Sequence, residues 1–407
     1  MHRSIGPTLA LTLLSLATLN AIGCSKNNRI AAADSQQALP PAHSSSLETV
    51  NLPHTPVKWQ SIGNCWAYAA LGWVESMMLR SEELNQPNFS ETYVTYRHYE
   101  LQLNDPSLDE LQTGGSFQEA AEITARYGLM KEGDFAPDEA NAPKSDRQKK
   151  ATNYLNESLK TGILSKTRSP MAIRAELDAA FGIKMDLIKD KIISASSINV
   201  SVGRGAVAPL DEVMLSWREV YWPISYADYP DARRTEPRPQ WTGEITDEQA
   251  RVMRRVMRAM NANYPVVINW FVDFRAMNPS GVFDLKTLAE FQGPGRQGYH
   301  STVLEDYVAQ GVDPMTNLPF ETPEGETTDE AKALAARFGT IKSLIVKNSW
   351  GGSERVDRPS YQRDGEKGYH KLGVDYLLAF LPRYEENTDE FQGYTTGVNG
   401  FILPPGF

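Results

Sequence analysis

The sequence predicts an α+β protein, helical in front and strand-rich behind, with two faces meeting at a cleft. Three observations carry this. Residues Cys65–Leu79 place Trp66, Ala67, Ala70, Leu71, Val74 and Met78 at helical spacings. After Tyr264-Pro265 the period changes, and Val266–Val272, Thr302–Val308 and Ser343–Lys347 become short β-branched runs between Gly-rich turns. Between these regions, residues 137–240 are polar, charge-rich and interrupted, which reads as a different, mainly helical region.

The elements follow in order. Structure is expected to begin around Leu52–Trp59, and Gly63-Asn64 turns the chain into the first helix at Cys65. A second helix starts at Ser116, after Gly114-Gly115, and carries Ala120, Ala121, Ile123 and Tyr127 to a stop at Gly128. In that region, Ser169 as N-cap and Pro170 in the first turn open a helix expected to reach about Ile193. Thr246-x-x-Gln249 resembles a capping box. It opens a helix with Val252, Val256 and Met260 inward and Arg251, Arg254, Arg255 and Arg258 toward water. The organisation is then an export signal (1–23), a flexible tether (24–51), an N-terminal helical half (52–136), the mainly helical region (137–240) and a C-terminal β-rich half (241–407). No fixed-period repeat is present.

Across 407 residues, 41 Lys and Arg face 51 Asp and Glu, a net charge of −10. No basic stripe is available to displace counterions, so nucleic acid is not an expected partner. Only Cys24 and Cys65 occur, which excludes a disulfide scaffold, an iron–sulfur ferredoxin and a four-Cys zinc site. Arg3 and the apolar stretch Leu9–Ala17 have the form of an export signal, too short and interrupted to span a bilayer permanently. The run Leu19-Asn20-Ala21-Ile22-Gly23-Cys24 resembles a bacterial lipobox, with Ala21 where Leu is usual. That resemblance implies lipidation of Cys24 and a membrane anchor in the bacterial envelope, on the outer-membrane side by the habit of a following Ser25. A plain secreted protein cut near Ala21–Gly23 is the alternative. Ser25–Ser46, rich in Ala, Ser, Gln and Asn, suits a tether.

Cys65 opens a helix directly after Gly63-Asn64. The helix dipole and unpaired N–H groups there are expected to favour thiolate and lower the thiol pKa; an inert buried Cys is the plainer reading. A nucleophilic thiol needs a base. His300 sits in Gln297-Gly298-Tyr299-His300 at a Gly-flanked strand start, where a side chain can project into a cleft. The base needs an orienting group. Asn348 ends another apolar strand and precedes Trp350, a ring able to shield a His–Asn hydrogen bond from water. Cys65, His300 and Asn348 thus form a candidate nucleophile–base–orienter set.

Here a resemblance becomes specific. Gln60-Ser61-Ile62-Gly63-Asn64-Cys65-Trp66-Ala67-Tyr68 resembles the nucleophile segment of papain-like (C1) cysteine peptidases. Gly114-Gly115 resembles their substrate-binding glycine pair, and Gly298-Tyr299-His300 their base segment. Asn348-Ser349-Trp350-Gly351 resembles their Asn motif, Gly365-Glu366-Lys367-Gly368-Tyr369 the Gly-Tyr after it, and Asn263-Tyr264-Pro265-Val266 the strand entry before the base. The resemblance covers about 52–136 and 246–380. It implies a two-domain fold, one half helical and one β-barrel-like, with Cys65 and His300 facing across the cleft. It also implies peptide hydrolysis through a thioester, an oxyanion hole including Gln60, substrate contacts at Gly114, Gly115 and Trp350, and a peptide or protein substrate without metal or cofactor.

Four departures stand beside it. Gln60 lies five residues before Cys65 rather than six, with Trp59 at the sixth. Ile62 and Gln112 hold places often occupied by paired cysteines, so packing must hold that loop. Ser25–Pro53 is too short for the usual helical prodomain. The insertion of 137–240 between the two halves is the fourth, together with a His300–Asn348 interval longer than in papain; large insertions are likewise carried by bleomycin-hydrolase-like aminopeptidases. Such an insertion either covers part of the cleft or offers a docking surface. Gly203-Arg204-Gly205 lacks the Lys-Ser/Thr of a phosphate loop, and no His-Glu-x-x-His or paired-Cys spacing suggests a metal. An aminopeptidase and a catalytically silent, peptide-binding papain-like module remain the alternatives to an endopeptidase. Oligomeric state is not legible.

Overall fold

A computed structural model describes residues 54–81, 87–140, 145–203, 205–224, 237–325, 327–352, 359–363 and 366–407. The expected signal, the tether and Cys24 lie outside the described residues, as do Arg204 and Gly365. Those described all fall in one compact unit, 45–407.

The front carries α1 (Cys65–Arg80), α2 (Glu91–Leu103), α3 (Phe117–Tyr127) and α4 (Glu132–Phe135). Ser116 caps α3 by accepting from Glu119 N–H, and Gly128 ends it, as the sequence predicts. The following stretch holds α5 (Arg147–Lys160), α6 (Pro170–Phe181), α7 (Met185–Ile188), β1 (Asn199–Ser201), β2 (Val207–Pro209), α8 (Leu210–Ser216) and β3 (Arg218–Tyr221). The single helix expected from Ser169 to about Ile193 is broken: α6 ends at Gly182, whose φ of +65° is a left-handed cap that only glycine adopts readily.

The back contains α9 (Asp247–Asn261), β4 (Val267–Asp273), β5 (Val282–Phe283), α10 (Leu285–Ala289), β6 (Gln297–Val312) and β7 (Pro319–Glu321). It continues through α11 (Asp329–Phe338), β8 (Thr340–Lys347), β9 (Tyr361–Arg363), β10 (Glu366–Gly373), α12 (Val374–Leu378), β11 (Phe380–Tyr384), β12 (Phe391–Thr396) and β13 (Val398–Leu403). Both capping-box bonds of Thr246 and Gln249 form at the start of α9. Val252, Val256 and Met260 are buried while Arg251 and Arg258 are exposed.

Among the described residues the main sheet runs β3-β13-β4-β6-β8-β10-β5, with β7 added to β6 and β9 to β10. Every pairing is antiparallel except β10 with β5. One core lies between this sheet and the helices α1, α3, α8 and α9. A second lies between α2 and the helices α5 and α6, built on Tyr93, Tyr96, Tyr99, Leu155, Leu177 and Phe181. The fold is therefore mixed helix and sheet, with α1 packed across β6.

Candidate active site

Cys65 is the first residue of α1, and its N-cap residue Asn64 makes no side-chain bond to the helix. The Asn64 amide instead donates to Thr95 Oγ1 and to Gln148 Oε1, each at 2.9 Å. The helix-start N–H groups beside the thiol are thus left uncapped by Asn64. Packing of α1 on β6 brings the sulfur to the backbone of Ser301. Cys65 is 9% exposed. Burial pushes its thiol up, and the backbone groups of Ser301, Trp66 and Cys65 itself pull only part of the way back. The expected lowering by the helix start is overturned, because desolvation of the buried sulfur outweighs these backbone groups.

His300 lies on β6 opposite Trp270 of β4, one residue before Ser301. Its Nε2 is 2.7 Å from Asn348 Oδ1. Asn348 follows the last residue of β8, and its Oδ1 also accepts from Ser349 N–H at 2.7 Å. On the other side of the amide, Asn348 Nδ2 is 3.1 Å from His370 Nδ1. Trp350 covers this line: its ring stacks on His300 at 4.8 Å and 24°, and meets His370 edge-on at 4.9 Å. At 6% exposure Trp350 is a packed wall of the site.

Gln60 is tied to the same segment. Its backbone N–H donates to Ser349 O at 2.8 Å, its Oε1 accepts from Ser349 Oγ, and its Nε2 donates to Ile62 O at 2.8 Å. One amide hydrogen is therefore committed within the loop. Gly115 lies against Trp66, so a Cβ there would fall 2.5 Å from Trp66 Cε2, while Gly114 has open space. Trp66 Nε1–H donates to Thr113 O at 2.9 Å. Gln102 pairs with both backbone groups of Gln112 at 2.8 Å.

Behind the site sits a buried charge cluster. Lys58 Nζ donates to Glu91 at 2.9 Å, to Glu75 at 3.3 Å and to Phe89 O at 2.7 Å. Burial works to lower the Lys58 ammonium, but Glu75, Glu91 and Glu132 outweigh it and raise its pKa. Burial, with Glu132 and Glu75 and against Lys58, pushes Glu91 up to about 8. A cavity of about 20 Å³ lies among Lys58, Glu75, Glu91, Ser301, Lys347 and Asn348, room for one water. Among the described residues, no group of three or more His, Cys, Asp or Glu side chains is disposed to hold a metal. No helix of the described residues is long and apolar enough to cross a membrane.

The structure thus brings His300, Asn348 and Trp350 into contact and sets Cys65 beside the residue after His300. It adds two residues that sequence reasoning missed. His370 carried no motif of its own, standing between Tyr369 and Lys371 in a strand with no apolar pattern. Gln148 lies 84 positions from Asn64, beyond any local pattern.

No protein-family model matches the sequence, and no curated protein matches it. Among solved structures the chain is similar to xylellain, a cysteine protease from Xylella fastidiosa, at 13% identity and a TM-score of 0.35, covering 90% of this chain and 87% of that one. It is also similar to a chain from a structural study of the limited antibody cross reactivity between the mite allergens Blo t 1 and Der p 1. There the identity is 15% and the TM-score 0.34, with 90% of this chain and 73% of that chain covered.

Proposed function

We propose that this protein is a papain-like cysteine peptidase, with Cys65 as nucleophile, His300 as base and then acid, and Asn348 as the group that holds the imidazole. The observation that carries the reading is the convergence of three elements: the start of α1 with its thiol at Ser301, β6 with His300, and the end of β8 with Asn348 at 2.7 Å from the ring. In this reading the front helices and the sheet around β4, β6 and β8 form the two walls of the cleft.

Chemically, the Cys65 proton passes to His300 Nδ1, because Asn348 engages Nε2. The burial that raises a lone thiol favours a thiolate made only beside an imidazolium, since the pair is neutral overall. The sulfur attacks the peptide carbonyl carbon, and the oxyanion meets the Cys65 backbone N–H and the second amide hydrogen of Gln60. His300 protonates the leaving amine, then takes a proton from water, whose oxygen displaces sulfur from the thioester.

The exposure of Cys65, only 9%, favours one other reading, a peptide-binding module that does not cleave. Both are tested with full-length protein and a set of fluorogenic peptides offered in free and N-acetylated forms. Turnover lost in Cys65→Ala supports the peptidase, and turnover restricted to free N-termini makes it an aminopeptidase. Saturable binding without turnover in the native protein removes the catalytic reading.

A further inference from the structure

Resting on that peptidase reading, we infer that His370 is a positioning residue: it fixes the Asn348 amide, and through it the tautomer of His300. The assignment follows from two fixed ends. Ser349 N–H can only donate, so the Asn348 atom it meets at 2.7 Å is the acceptor Oδ1, and Nδ2 must face His370 Nδ1 at 3.1 Å. Pro359 O can only accept, and it lies 3.1 Å from His370 Nε2, so His370 carries its hydrogen there. Neutral His370 then presents a bare Nδ1 lone pair to the Asn348 Nδ2–H. At the other end, Asn348 Oδ1 demands a hydrogen on His300 Nε2 at 2.7 Å.

The line Pro359 O, His370, Asn348, His300 is therefore polarised in one direction, which leaves the lone pair on His300 Nδ1, the nitrogen that takes the Cys65 proton in the peptidase reading. His370 is held for this task. It is 1% exposed on β10, registered against Val346 of β8, and its ring packs on Trp350 and, at 5.8 Å, on Phe283. Removing its acceptor leaves the amide held by Ser349 N–H alone, and an amide that turned would offer Nδ2–H to His300 Nε2 and draw the imidazole hydrogen to Nδ1.

The test uses full-length protein carrying Cys24→Ser, with His370→Leu and His370→Asn. Leu removes the acceptor; Asn returns an amide oxygen near the place of Nδ1. Two readouts are taken: the pH profile of Cys65 labelling by a peptidyl epoxide, and the histidine tautomers from long-range proton–nitrogen NMR. We expect His370→Leu to slow labelling at pH 5–6 about tenfold, to move the acid limb upward and to mix the His300 tautomers. His370→Asn should stay within about threefold of the parent and keep the Nε2–H tautomer. An unchanged limb and tautomer in His370→Leu, or equal losses in both variants, overturns the positioning role. If the parent does not label at acidic pH yet shows the Nε2–H tautomer and loses it in His370→Leu, the peptidase reading falls and the positioning role stands.

Discussion

Gly115 and Cys65 show two ways in which a single residue is fixed by its neighbours. A methyl at 115 would press into the Trp66 ring, which is held by its bond to Thr113 O and cannot swing away. Gly115→Ala should therefore destabilise the protein by about 1–3 kcal/mol, read as a lower denaturant midpoint, whereas Gly114→Ala, in open space, should leave it unchanged. Equal midpoints for the two variants would contradict this. The pairing of His300 with Asn348 was legible because these residue types in that order match a chemical need. The direction of the thiol shift was not, because it depends on how completely the folded chain buries the sulfur. His370 was invisible for a related reason: its role is a contact made through strand register.

At the scale of elements, the helix α5 and the segment after it act as a brace. Gln148 of α5 holds Asn64 beside the nucleophile, and its Nε2 also donates to Thr92 Oγ1 at 3.0 Å. Asn156 accepts from Leu111 N–H at 2.9 Å, and Arg168 donates to Leu108 O at 2.8 Å. These bonds steady the loop that carries Leu108 and Leu111. Gln148→Leu should cost about 1–3 kcal/mol by removing the acceptor of one buried Asn64 amide hydrogen and a bond to Thr92, and should slow Cys65 labelling as well. A normal melt with normal labelling would show that α5 is not a brace. The short caps at Ser116 and Thr246 were readable from sequence. Helix α2 was not, because Thr92 through Tyr99 are buried on every face and show no amphipathic stripe. The break at Gly182 was missed because the apolar pattern continues past it.

On the scale of the whole molecule, the charge cluster fastens the front to the sheet. Lys58 joins α1 through Glu75 and α2 through Glu91, while Lys347 of β8 donates to Thr55 Oγ1 at 2.9 Å. An isolated bridge between Trp59 and Trp350 runs beside it. The cluster predicts a pH effect on stability. Glu91 titrates at about 8 when folded and near 4.5 when unfolded, so the folded state holds the extra proton between those values. Its contribution is complete below about pH 4.5 and is lost as pH rises through about 8, roughly 1 kcal/mol from pH 7 to 9. Thermal unfolding at pH 7 and 9 should show that loss in the parent and not in Glu91→Gln; an equal loss in both assigns it elsewhere. The helical front and strand-rich back were legible as a change of hydrophobic period. The addition of β3 to the sheet edge through β13 was not, since it joins segments almost two hundred positions apart with no local mark. The central claim, that Cys65 is an ionised nucleophile paired with His300, is tested most directly by epoxide labelling of full-length Cys24→Ser protein from pH 4 to 9. Fast, single-site labelling at acidic pH, abolished by Cys65→Ala and slowed by His300→Ala, is the predicted result. Labelling only above about pH 8, as for an unperturbed thiol, would contradict it.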